Sequence, residues 1–86
     1  MGILGEAQMR CLRIQRAGLD KIRAVALRDG VPAAQIGRDM KILRDVANGS
    51  MKQAAERSGV ARSTVSWVVK KYEGYALEIL GGIKNG

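Results

Sequence analysis

Met51-Lys-Gln-Ala-Ala-Glu-Arg-Ser-Gly-Val-Ala-Arg-Ser-Thr-Val-Ser-Trp-Val-Val-Lys-Lys-Tyr72 decides the fold. It reads as a short helix, a tight turn at Gly59 and a second helix with a polar, basic outer face. Ser50 and Gln53 open it as an S-x-x-Q capping box, in which the Ser side chain accepts from the N3 amide and Gln53 reaches back. Two helices that cross steeply at a short turn need a small residue where they touch, and Ala55 supplies it. The turn needs a residue tolerant of positive φ, and Gly59 supplies that. Val60, Val65 and Val68 have the spacing to anchor the second helix inward. By the same periodicity Arg62, Ser63, Ser66, Trp67 and Lys70 lie outward, and most of them are short or hydrogen-bonding. That is the layout of a helix-turn-helix, about residues 50–72, whose second helix enters the major groove of duplex DNA.

Each outward residue has a chemical reason to be there. Arg62 is suited to bidentate pairing with guanine O6 and N7, and Ser63 and Ser66 to bases or phosphates. With Lys70 and Trp67 they form the candidate base-reading set. Two readings of Trp67 stay open: an outward indole packing on thymine methyls or sugar, or a core aromatic. Lys52, Gln53, Thr64 and Lys71 are candidate phosphate contacts, which set register rather than sequence preference. The plainer alternatives are a solvated face for the lysines and pure capping for Ser50 and Gln53.

Outside this stretch the pattern stays helical. Residues 4–29 read as one long helix whose apolar stripe is Cys11, Leu12, Leu19, Ile22, Val25 and Ala26, with Gly18 marking a bend or a close contact. Glu6 with Arg10, and Arg16 with Asp20, are i,i+4 pairs. Pro32 fits the first turn of a second helix. Ile36, Met40, Leu43 and Ala47 give it an amphipathic face, and Gly49 is its expected C′ residue. After Tyr72 the apolar positions continue through Ala76, Ile79 and Leu80, so Gly74 either interrupts one long terminal helix or splits it. Gly81-Gly82 is the expected stop, with a loose tail beyond it. The segments around Gly30 and Gly49 are faintly alike, short of a repeat. The expectation is an all-α, four- to five-helix single domain over 1–86, with the segments 4–29 and 75–83 serving packing or dimerisation.

Composition narrows the function. The net charge is +7 with no histidine, and residues 50–72 carry five basic groups and one acidic, the densest positive stretch. Phosphates would need charge placed there. A hydrophobic fraction of 47% argues against global disorder. Cys11 is the single cysteine; no internal disulfide is possible, and a reduced setting fits. No apolar run is long enough to span a membrane, and no signal-peptide core is evident. The expected location is cytoplasmic, with the nucleoid. No Cys/His metal set, no Ser-His or Cys-His pair and no phosphate-cradling glycine motif appears, so neither an enzyme nor a cofactor or small-molecule ligand is expected.

Over Leu43–Tyr72, about a third of the chain, the sequence resembles the trihelical helix-turn-helix of the sigma-factor region 4 and LuxR type. It is also similar to TrfB-like plasmid repressors, in which an N-terminal helical part precedes such a motif and the rest pairs two subunits. The core Ala55…Gly59-Val60…Thr64-Val65-Ser66 carries the likeness without singling out one family. The resemblance implies that Ala61, Arg62, Ser63, Ser66, Trp67 and Lys70 face the groove. Two positions depart from the pattern. Ser58 stands where a large apolar residue is usual. Ala61 stands where a capping Ser or Thr is usual, at a cost of about 1 kcal/mol.

The functional expectation is a sequence-specific regulator of transcription of plasmid or phage type. It would be a repressor that binds a pseudo-palindromic duplex as a homodimer. The alternatives are an accessory or architectural DNA-binding protein for recombination or packaging, and a helical adaptor that binds another protein.

Overall fold

The computed structural model describes residues 5–82, which form five helices and, among the described residues, no strand. They are α1 (Glu6–Ala17), α2 (Leu19–Arg28), α3 (Ala33–Asn48), α4 (Met51–Ser58) and α5 (Arg62–Gly82). The body measures 39 × 35 × 18 Å; its short dimension is that of two helix layers.

The N-terminal region is two helices, not the single helix expected over 4–29. Gly18, at φ 98°, breaks the chain between Ala17 and Leu19, a conformation in the positive-φ region that favours glycine. The break redirects the apolar face. Cys11, Ile14 and Ala17 are buried on α1, and Ile22 and Ala26 on α2, while Leu12 and Leu19 of the expected stripe stay exposed. Arg16 and Asp20 fall on opposite sides of the break and form no ion pair, whereas Arg10 and Glu6 do at 3.2 Å. Burial pushes the Cys11 thiol up to about 11, as expected for a thiol used as a small apolar side chain. The thiol donates toward the Leu43 carbonyl at 3.7 Å.

Pro32 is the N-cap of α3, one position before the first turn where it was expected. The buried face of α3 is Ile36, Asp39, Ile42, Leu43 and Val46; Met40 and Ala47 are only partly covered. Gly49 is not in a left-handed conformation: its φ is −157°. The Gln53 side chain folds close over it, so a Cβ there would displace the end of that exposed side chain. The Gln8 amide also donates to the Gly49 carbonyl at 2.9 Å, tying α1 to the α3–α4 junction.

α1 makes its most extensive contact with α5 and packs on α3 as well. The N-terminal arm therefore covers its own α5 with its buried stripe. The terminal segment behaves similarly: α5 runs unbroken through Gly74, with Tyr75 and Ala76 buried and Leu77 and Leu80 exposed. The tail expected beyond Gly82 lies outside the described residues. One buried polar contact fixes α5 on α3, where the Tyr72 hydroxyl donates to Asp39 Oδ2 at 2.7 Å. Burial first, then this bond, pushes the Tyr72 phenol well above its ordinary range. No described helix is long and apolar enough to cross a membrane.

Candidate nucleic-acid interface

The expected helix-turn-helix segment forms α4 and α5, joined by Gly59–Ala61. Ser50 caps α4: its Oγ accepts from the Gln53 amide at 3.1 Å. The reciprocal half of the expected capping box is absent, since the Gln53 side chain leans toward Gly49 instead. Ala54 and Ala55 are buried, which lets α4 approach the core closely. Gly59 adopts φ 67°, ψ 32°, and the Val60 amide donates to the Ala55 carbonyl at 3.0 Å. That 6→1 bond satisfies an otherwise orphaned carbonyl and turns the chain sharply. The Ala61 carbonyl then accepts from Thr64 at 3.0 Å and Val65 at 3.2 Å, starting α5. Ala61 offers no side-chain acceptor for the open amides of that first turn.

α5 is divided lengthwise. Val65, Val68, Val69 and Tyr72 are at most 2% exposed. Arg62, Ser63, Thr64, Trp67 and Lys70 are exposed on the other side. Trp67 is 54% exposed, so the indole points outward rather than into the core. The Lys71 ammonium lies 4.7 Å from its ring centroid, a cation–π arrangement that holds a flat apolar surface beside a charge. Lys71 is half-buried as a result. Val60, expected as an inward anchor, is only partly buried.

The set divides further by neighbour. Lys52 and Arg62 flank an open notch of about 400 Å³ between α4 and α5, which Ala55, Glu56 and Gly59 complete. Ser66 and Lys70 border a second recess whose far wall is α1, through Glu6, Ala7 and Arg10. Ser66 is half-buried there and sits at the flank of the outer face, not its centre. Gln53 and Thr64 are exposed but stand apart from both recesses. Arg10 joins Lys70 beside Ser66, a neighbour that sequence periodicity had no means to find. Arg10 also lies 3.4 Å from Glu73, which Arg13 bridges at 2.8 Å.

Between Glu56 and Glu73 the chain carries four cations and no carboxylate. Lys52, Arg62, Lys70 and Lys71 have no ion-pair partner among the described residues. The arrangement is a rigid helix, anchored by four apolar side chains, presenting hydroxyls, an indole and unpaired cations to solvent. No group of three or more metal-ligating side chains is present among the described residues. In comparisons with known proteins, no family model, curated protein or solved structure matches the chain.

Proposed function

We propose that this chain binds duplex DNA sequence-specifically through α4 and α5, used as a helix-turn-helix, and regulates transcription as a repressor by occupying its operator. One observation supports this most directly. α5 is pinned by Val65, Val68, Val69 and Tyr72 while Arg62, Ser63, Trp67 and Lys70 stand exposed beside a left-handed turn. A helix held in this way can enter a major groove without losing side-chain order behind it. Arg62 reads guanine, Ser63 and Ser66 read or position, and Trp67 packs its face on a thymine methyl or sugar. Lys52 and Lys71 hold phosphates.

A single recognition helix reads only a few base pairs. The active form is therefore a homodimer on a pseudo-palindrome, with half-site centres about 34 Å apart or a multiple of that. The test is selection of bound sites from random duplex DNA at near-physiological salt. The expected result is a two-fold-symmetric site. Arg62→Ala should then lose about 1–3 kcal/mol on that site and relax preference at one position. Binding without enrichment of any sequence would replace this reading with an architectural one, and no duplex binding at low salt would end it.

A further inference from the structure

The two halves of the molecule share a register of 29 residues. Ala26, Arg28, Gly30, Val31, Lys41 and Ala47 recur as Ala55, Arg57, Gly59, Val60, Lys70 and Ala76. The match pairs Gly30 with Gly59, not with Gly49. It is also a match of backbone. Both glycines have positive φ, 91° and 67°. The Val31 amide donates to the Ala26 carbonyl at 3.0 Å, as Val60 does to Ala55 at 3.0 Å. The Ile36 amide donates to the Pro32 carbonyl at 3.0 Å, as Val65 does to Ala61 at 3.2 Å. Burial follows the same register: Ala26, Ile36, Asp39, Leu43 and Val46 are buried, and so are Ala55, Val65, Val68, Tyr72 and Tyr75. The α2–α3 hairpin is thus built like α4–α5, with α3 at the place of α5.

The register identifies the outer face of α3. Ala33, Ala34, Gly37, Arg38 and Lys41 occupy the positions of Arg62, Ser63, Ser66, Trp67 and Lys70, and all five are exposed. Three of them are small enough for a bulky rod to lie close. The other two are cations, and they point toward the second hairpin. Arg38 and Lys41 line a cleft of about 170 Å³ with Arg57 and Ser58, closed by Ile42 and Val60. No carboxylate lines it. Arg38 and Lys41 have no ion-pair partner among the described residues, and Arg57 has only Asp45, at 3.5 Å. Three like charges converging on one cleft repel unless an anion joins them. Val60 also lines the notch between Lys52 and Arg62, so the two basic clefts meet at the α4–α5 turn.

We infer that the cleft formed by Arg38, Lys41, Arg57 and Ser58 is a second duplex-contacting site, which takes backbone phosphates of the same DNA that α5 reads. This rests on the DNA-binding reading above. Ala33, Ala34 and Gly37 carry no hydrogen-bonding side chain, so α3 adds affinity and orientation and no base preference.

The test compares the full-length chain with Arg38→Ala/Lys41→Ala and with a charge-matched control, Arg16→Ala/Lys21→Ala, whose exposed residues lie on α1 and α2. Affinity is measured on the selected duplex and on a random duplex between 50 and 200 mM salt, after equal thermal melts establish that all three are folded. Each lost phosphate contact should cost roughly tenfold near 0.1 M salt and flatten the salt slope by about one. The cleft variant should therefore lose about a hundredfold on both duplexes alike, with a slope shallower by about two, and the control much less. If the unaltered chain binds while the cleft variant matches the control, this inference falls and the α5 reading stands. If the unaltered chain binds no duplex, both fall.

Discussion

The α2–α3 and α4–α5 hairpins close in the same way and present different chemistry. Each turns at a positive-φ glycine, with an alanine carbonyl accepting from the valine that follows the glycine. Their outer faces diverge: alanines, a glycine and two cations on α3, but hydroxyls, an indole and cations on α5. The small and apolar residues at fixed spacing set the backbone, so the outer residues are free to differ. The buried faces diverge at three matched places that carry polar groups, one of them Tyr75 against Val46. Asp39 stands where α5 has Val68, and Tyr72 stands where α3 has Leu43. These two departures meet each other, at 2.7 Å. One such residue from each hairpin forms the pair that joins α3 to α5.

Breaking that pair should have the largest effect. Tyr72 is 0% exposed, and Tyr72→Ala should cost about 3–5 kcal/mol, a large share of the whole stability of a small domain. Tyr72→Phe isolates the polar part. It leaves Asp39, 5% exposed, without its donor, which should cost about 1–3 kcal/mol. Adding Asp39→Leu to Tyr72→Phe should recover most of that loss, because an apolar pair leaves nothing unsatisfied. Urea midpoints measure the cycle, and no recovery would mean that the Asp39 carboxylate has another role. The same groups set the alkaline limit. Tyr72, Tyr75 and Cys11 are all raised, chiefly by burial, Cys11 from 9.0 to about 11. The folded chain therefore holds protons that the unfolded chain releases. Their contribution is complete below the unfolded values and is lost as pH rises from about 9 upward.

The turn glycines give a sharper comparison at smaller effect. A Cβ at Gly30 or Gly59 would meet nothing within 4 Å, so substitution tests backbone strain alone. Gly30→Ala and Gly59→Ala should each cost about 1–2 kcal/mol in thermal melts. Asparagine should separate the two. Gly59, at φ 67° and ψ 32°, lies in the left-handed basin that Asn tolerates, while Gly30 at φ 91° lies beyond its usual range. Gly59→Asn should be the milder change. Equal penalties would mean that the turns are less alike than their hydrogen bonds.

What the sequence made legible is what local signals carry. The Ser50 cap, the Gly59 turn and the exposure of Arg62, Ser63, Trp67 and Lys70 depend on residues a few places apart, and they stand as expected, whereas Ser66 is half-buried. Trp67 was open between two environments because periodicity placed it outward while a large indole favours burial. Gly18 was ambiguous for a similar reason: a glycine inside a helical pattern signals either a tolerated weak point or a break, and only its φ of 98° decides. Leu19 opens α2 beyond that break, and Leu12 is exposed because α1 buries Cys11, Ile14 and Ala17. The recess shared by Ser66 and Arg10, and the convergence of Arg38, Lys41 and Arg57, are tertiary. They depend on how α1 meets α5 and how α3 meets α4, and no spacing rule reports either.

The smallest predicted effect concerns the residues that open α3 and α5. Pro32 and Ala61 hold matched positions, and neither supplies a side-chain acceptor to the helix that follows. A serine at 61 should accept from the open amides of α5 and raise stability by about 1 kcal/mol. Ala61 is exposed, so the added hydroxyl meets no packing constraint. Pro32→Ser gains the same hydrogen bond but frees a backbone that proline had restricted in the unfolded chain, which costs about 0.4–1 kcal/mol. The two terms nearly cancel, so Pro32→Ser should leave the urea midpoint almost unmoved while Ala61→Ser raises it. That outcome would mean that the first hairpin fixes its helix start by restricting the chain, and that the second leaves this stabilisation unused at the edge of the exposed face of α5. Equal gains at both sites would remove that distinction and leave the hairpins different only on their outer surfaces.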